Sequence, residues 1–157
     1  MLMKKYVKII ILVITVILIA GCGNSKQVIK TCKLSKNDIT NGYKLESEYK
    51  IYSKSNIVKK VETIEIITSE DDEIIDFFKA YLDENYKTLD KTYGGYTNNI
   101  TSEKGKIITK TTIDYNEMNL KKYVEDNTAM EKYVNSDNKI SLDGIINIYE
   151  DMGAICE

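Results

Sequence analysis

Tyr43-Lys44-Leu45-Glu46-Ser47-Glu48-Tyr49-Lys50-Ile51-Tyr52 alternates over its whole length. Tyr43, Leu45, Ser47, Tyr49 and Ile51 fall on one side of an extended chain, and Lys44, Glu46, Glu48 and Lys50 on the other, because successive side chains of a strand point to opposite faces. A strand dry on one side and wet on the other belongs to an antiparallel sheet covered on a single face. The neighbouring segments have to supply its partners and its cover.

Ser53-Lys54-Ser55-Asn56 supplies a turn, and Ile57 to Thr68, rich in β-branched residues, returns as a second strand. Its pattern changes phase, from Ile57 and Val61 to Ile64 and Ile66, which predicts a bulge near Glu62. Upstream, Val28 to Leu34 reads as a first strand holding Cys32. Downstream, Ser69 opens the clearest helix, with Glu70, Asp71, Asp72 and Glu73 where the positive end of the dipole favours carboxylates. Ile74, Phe77, Phe78, Tyr81, Leu82 and Leu89 form an apolar stripe expected to lie on the sheet, with Asp76, Lys79, Asp83, Lys87 and Asp90 opposite. Gly94-Gly95 ends the helix. Tyr96 to Ser102 and Lys106 to Tyr115 then make a hairpin around Glu103-Lys104-Gly105. Helical signals close the chain: Leu120, Tyr123 and Val124, then Met130, Tyr133 and Val134, then Leu142 to Met152 behind a Ser141 cap, with Gly153 as terminator. The expected fold is α+β, an antiparallel sheet of about five strands in the chain order β-β-β-α-β-β-α-α, with helices packed on it.

The first residues read differently. Lys4, Lys5 and Lys8 precede an apolar run from Ile9 to Ala20, the anatomy of a signal peptide and short for a membrane span of roughly 20 residues. Ile19-Ala20-Gly21-Cys22 has the form of a lipobox, so the expectation is cleavage before Cys22 and attachment of a diacylglycerol to its thiol. The alternatives are an ordinary signal peptide with an incidental Cys, or an uncleaved anchor. On this reading residues 1–21 are a lipoprotein signal, 22–27 are the lipidated Cys22 with a flexible tether, and 28–157 are a single domain attached to the membrane and facing away from the cytoplasm.

Composition removes several chemistries. The chain has no His, and all 22 of its basic residues are Lys. Imidazole-dependent triads and metal sites are excluded, and so is the bidentate Arg fork for phosphate. Losing the three signal lysines takes the formal charge from −2 to −5, a poor match to nucleic acid. With Cys22 lipidated, Cys32 and Cys156 remain as an even pair, read as a disulfide in an oxidising compartment or else as two free thiols.

The Cys32 segment, Gly42 to Lys50, Lys91-Thr92-Tyr93-Gly94-Gly95-Tyr96, and Leu142-Asp143-Gly144-Ile145 through Gly153-Ala154-Ile155-Cys156 resemble the YehR-like family of small bacterial lipoproteins. The resemblance implies a compact α+β fold and supports Cys32 and Cys156 as a matched pair. It carries no activity.

Tyr93, Gly94, Gly95 and Tyr96 are the most site-like residues, since glycines admit close backbone approach and tyrosines offer flat amphipathic surfaces. The plainer reading is a helix-to-strand connection with packed tyrosines. Glu70 to Glu73 point in different directions on a helix and cannot converge on one cation. Asp137 to Glu150 has Leu142 where a calcium loop needs Gly, and Lys139 at a ligand position. No metal, cofactor or catalytic residue is expected. The leading expectation is a binding or accessory module for an envelope component, partner protein or small ligand. The alternative is a cell-wall or glycan hydrolase working with Asp and Glu, which needs two carboxyls facing each other roughly 5 to 9.5 Å apart across a cleft.

Overall fold

The computed structural model describes residues 26–157; the expected signal peptide, Cys22 and most of the tether lie outside them. Six strands form one antiparallel sheet: β1 (Gln27–Asp38), β2 (Tyr43–Lys54), β3 (Ile57–Ser69), β4 (Tyr96–Glu103), β5 (Lys106–Asp114) and β6 (Ile155–Cys156). Their order across the sheet is β4-β5-β3-β2-β1-β6. Helices α1 (Asp72–Tyr93), α2 (Leu120–Asp126) and α3 (Leu142–Asp151), with a 3-10 turn at Thr128–Tyr133, pack on one face. The α+β architecture is as expected, with a sixth strand added.

The alternation in β2 is realised. Ser47, Tyr49, Ile51 and Ser53 are buried, while Lys44, Glu46 and Lys50 face solvent. Two apolar clusters result. The larger gathers Cys32, Tyr49, Ile51, Val58 and Val61 under α3, where Tyr149 stacks on Tyr49 with ring centroids 4.1 Å apart. The smaller gathers Ile67, Ile75, Leu82 and Ile107 under α1.

Three expectations need correction. The bulge falls at Lys59 rather than Glu62, because Tyr52 pairs with Lys60 and Ser53 with Val58. The extra residue lets Val58 and Val61 both face inward, which strict alternation forbids. Helix α1 is capped by Asp71, whose carboxylate accepts from Glu73 N–H at 2.9 Å, and not by Ser69. Ser69 instead accepts from Asp71 N–H and donates to the Gly42 carbonyl, closing the turn before the helix. Finally, the stripe on α1 is rotated. Ile75, Phe78, Leu82 and Tyr86 meet the sheet, whereas Phe77 and Tyr81 are 64% and 54% exposed.

Ser141 caps α3 as expected, accepting from Gly144 N–H at 3.0 Å. Beyond it Gly153 adopts φ +95°, reversing the chain so that β6 lies against β1. Cys32 and Cys156 are directly opposed there and joined by a disulfide, with Cα atoms 4.0 Å apart. Among the described residues no helix is long and apolar enough to cross a membrane.

Candidate functional site

The helices leave the other face of the sheet open. Strand parity puts Thr31, Lys33 and Ser35 of β1, Glu46 and Glu48 of β2, and Ile64 and Ile66 of β3 on that face. Together with Ile155 and Glu157 at the edge they line a groove of about 900 Å³. Its floor is apolar. Ile64 is 40% exposed and Ile155 is 74% exposed, a poor use of isoleucine unless something covers it. The walls are charged, with Lys44 paired to Glu46 at 2.9 Å and Lys50 to Glu48 at 3.7 Å. Beside Glu48 a second recess of about 250 Å³ continues toward Glu62 and Lys110. Lys60 donates to one oxygen of Glu62 at 2.6 Å and Tyr52 to the other at 2.6 Å, and the two bonds, Lys60 foremost, hold that carboxyl below its usual range.

Glu46 and Glu48 are the carboxylates of the groove's β2 wall, and Glu157 adds another at the edge. Glu46 and Glu48 lie two residues apart on one strand, with about 6.7 Å between their backbone positions, and a glycosidase needs two carboxyls. They rise side by side from one wall, however, each turned to a lysine of its own strand. This arrangement suits recognition of a ligand with both apolar and charged groups better than acid and base attack from two sides.

On the helix side of the sheet a polar seam separates the two apolar clusters. Ser47, Thr63, Thr109 and Thr111 are buried along it, and Asn98 accepts from the Thr111 hydroxyl at 2.9 Å. Glu65 lies in this seam and accepts from the Tyr86 hydroxyl at 3.2 Å. Burial pushes the Glu65 carboxyl above its usual range, and the Tyr86 bond opposes the shift only in part. The same burial, reinforced by the Glu65 charge, raises the Tyr86 phenol. Glu65 is the acid that burial holds above its usual range, yet it faces α1 rather than the groove.

Tyr93, Gly94, Gly95 and Tyr96 lie at the junction of α1 and β4, away from the groove. Gly94 and Gly95 both have positive φ, and a Cβ on Gly95 would sit 2.6 Å from the Asp114 carbonyl oxygen. Close backbone approach does occur here, but the neighbour is β5 and the turn that follows it. Tyr93 packs edge-on against Tyr123 at 5.0 Å between centroids and donates to Asp126 at 3.0 Å. Tyr96 is half-buried, and burial raises its phenol well beyond the usual range. Among the described residues no group of three or more Asp, Glu, Cys or His could hold a metal ion.

Sequence reasoning missed the groove because Ile64 and Ile66 had been placed with the core. Their parity was the available signal: both fall opposite Val61, Thr63 and Ile67 once the bulge precedes them.

No family model matches the chain, and no characterised protein matches it in sequence. Two solved structures share its fold. One is the NMR structure of a Streptococcus pneumoniae TIGR4 protein, with TM-score 0.50 and 18% identity, covering 87% of this chain and 88% of that one. The other is the NMR structure of the Escherichia coli YehR protein, with TM-score 0.53 and 18% identity over 85% of this chain and 92% of that one.

Proposed function

We propose that this chain is an extracytoplasmic domain, held at the membrane by a diacylglyceryl group on Cys22, that binds an envelope component, partner protein or small ligand without transforming it. The observation that carries the binding reading is the open groove, with its Ile64 and Ile66 floor and its ion-paired walls. The Cys32–Cys156 bond supports a compartment outside the reducing cytoplasm. The anchor rests on the Ile19-Ala20-Gly21-Cys22 motif.

A photo-crosslinking side chain at position 64 or 155, in the anchored protein in its native membrane, tests the groove. A discrete adduct that disappears when Ile66→Asp is added supports binding there. Equal crosslinking at a surface position on α3 defeats it. Cys22→Ala should release the protein from the membrane fraction or leave an uncleaved precursor; a processed, membrane-bound product would remove the anchor from the proposal. The presence of Glu46 and Glu48 in the groove keeps hydrolysis as a second reading. It requires release of soluble fragments from purified cell wall that Glu48→Gln abolishes.

A further inference from the structure

The two edges of the sheet are guarded unequally. Strand β1 is covered at its centre by β6 and carries Lys30, Lys33 and Lys36 along its length. Strand β4, at the opposite edge, has neither lysine nor proline, the residues that usually keep an edge from recruiting another strand. The register shows which of its backbone groups are free. Asp114 N–H donates to the Gly95 carbonyl, so Tyr96 and Ile113 form a non-hydrogen-bonded pair, and Thr97, Asn99 and Thr101 exchange bonds with β5. The N–H and C=O groups of Asn98, Ile100 and Ser102 therefore point away from the sheet, while Tyr96 N–H is taken by Asp90 Oδ1 at 3.1 Å.

Helix α1 runs alongside this edge. Between them lies a recess of about 360 Å³ bounded by Asp76, Lys79, Ala80 and Asp83 of the helix and by Ile100 of the strand. Ala80 is the gap in the wall and Ile100 the floor. We propose that the β4 edge and α1 form a docking groove for an extended segment of a partner protein, which adds as a seventh strand. An apolar side chain would enter the Ala80 recess, with a lysine or arginine two residues to either side.

The side-chain preferences follow from spacing and charge. Asp76 and Asp83 bracket Ala80 about one turn away on each side, roughly 10.5 Å apart along the helix; Asp83 already pairs with Lys87, an exposed contact that an incoming cation would share, so Asp76 is the stronger of the two attractions. Residues two before and two after a central position share its face of a strand and span about 13.6 Å, a gap long basic side chains close easily. Lys79 stands between the two aspartates and disfavours a third basic residue at the centre. A second copy of β4 fits less well, because its Tyr-Thr-Asn-Asn-Ile-Thr-Ser-Glu sequence brings no cation to Asp76 or Asp83. This site lies at the other edge of the sheet from the groove on the open face and needs no lipid anchor, so each stands or falls alone.

The test uses the full chain in detergent micelles and a synthetic nonapeptide, Thr-Thr-Lys-Thr-Ile-Thr-Lys-Thr-Thr. Amide exchange at Asn98, Ile100 and Ser102 should slow by about tenfold or more, while Thr97, Asn99 and Thr101, already bonded to β5, change little. Methylating the peptide amides that would face β4 should abolish the protection. So should Ser102→Pro, which removes an outward N–H and no bond to β5, and Ala80→Glu should weaken binding about tenfold while leaving Tm within a few degrees. No protection at millimolar peptide overturns the proposal, as does equal protection by a peptide with Glu in place of Lys. A concentration-dependent dimer lost in Ser102→Pro also overturns it, by assigning the edge to a second copy.

Discussion

Replacing Cys32 and Cys156 together by alanine removes one covalent link while keeping both positions small and apolar. Cys32 is fully buried and the two residues are 124 apart in sequence, so the link closes a loop spanning nearly the whole domain. Chain-entropy arguments put the stabilisation from such a loop at about 5 kcal/mol. That is a large share of the roughly 5 to 15 kcal/mol typical of a whole domain. At about 4 °C per kcal/mol for a chain of this size, Tm should fall by about 15 to 20 °C. In urea the midpoint should drop and the slope should steepen, since an unlinked unfolded chain exposes more surface. The competing possibility is local: β6 has two residues, and the bond would then only pin the last turn of chain. A loss below about 1.5 kcal/mol, with faster amide exchange confined to residues 154–157, would refute the loop-closure reasoning.

Glu65→Gln should raise stability at pH 8, because the buried carboxyl resists ionisation in the folded state. The folded value lies above the unfolded one, so the wild type loses stability as pH rises from the ordinary glutamate range through the raised value; thermal melts should show the variant's advantage at pH 8 closing by pH 4. Leu82→Ala should cost about 2 to 4 kcal/mol and Phe77→Ala less than about 0.5 kcal/mol, a contrast in urea melts that tests the rotation of α1. Gly95→Ala should cost about 2 to 3 kcal/mol, since φ is +77° and the new Cβ meets the Asp114 carbonyl; a thermal melt within 2 °C of wild type would contradict the geometry.

The alternation of β2 was legible because one face is wet and the other dry, leaving no second way to place its tyrosines. Strand β3 was harder. Apolar residues on both faces, Val61 and Ile67 inside with Ile64 and Ile66 outside, hide the phase that would locate a bulge. In α1 a stripe that includes both Phe77 and Phe78 cannot lie wholly on the sheet, because neighbouring helical residues differ by about 100° and only one of the two can face it. The spacing of Ile75, Phe78, Leu82 and Tyr86 was present to be read. Strand β6 could not be read, because two residues become a strand only through their partner. Both candidate surfaces, the groove and the β4 edge, depend on which strands lie beside each other, and that order is a long-range property.

The pairing of β1 with β2 runs through twelve residues without a break. A load arriving from the residues before Gln27 pulls β1 along its own axis, so its ladder is strained in shear, with the bonds sharing the force, rather than peeled one at a time. The covalent link at Cys32 then diverts whatever passes the fifth residue into the C-terminal segment and α3 behind it. The domain is mechanically reinforced along the line by which a membrane tether would hold it.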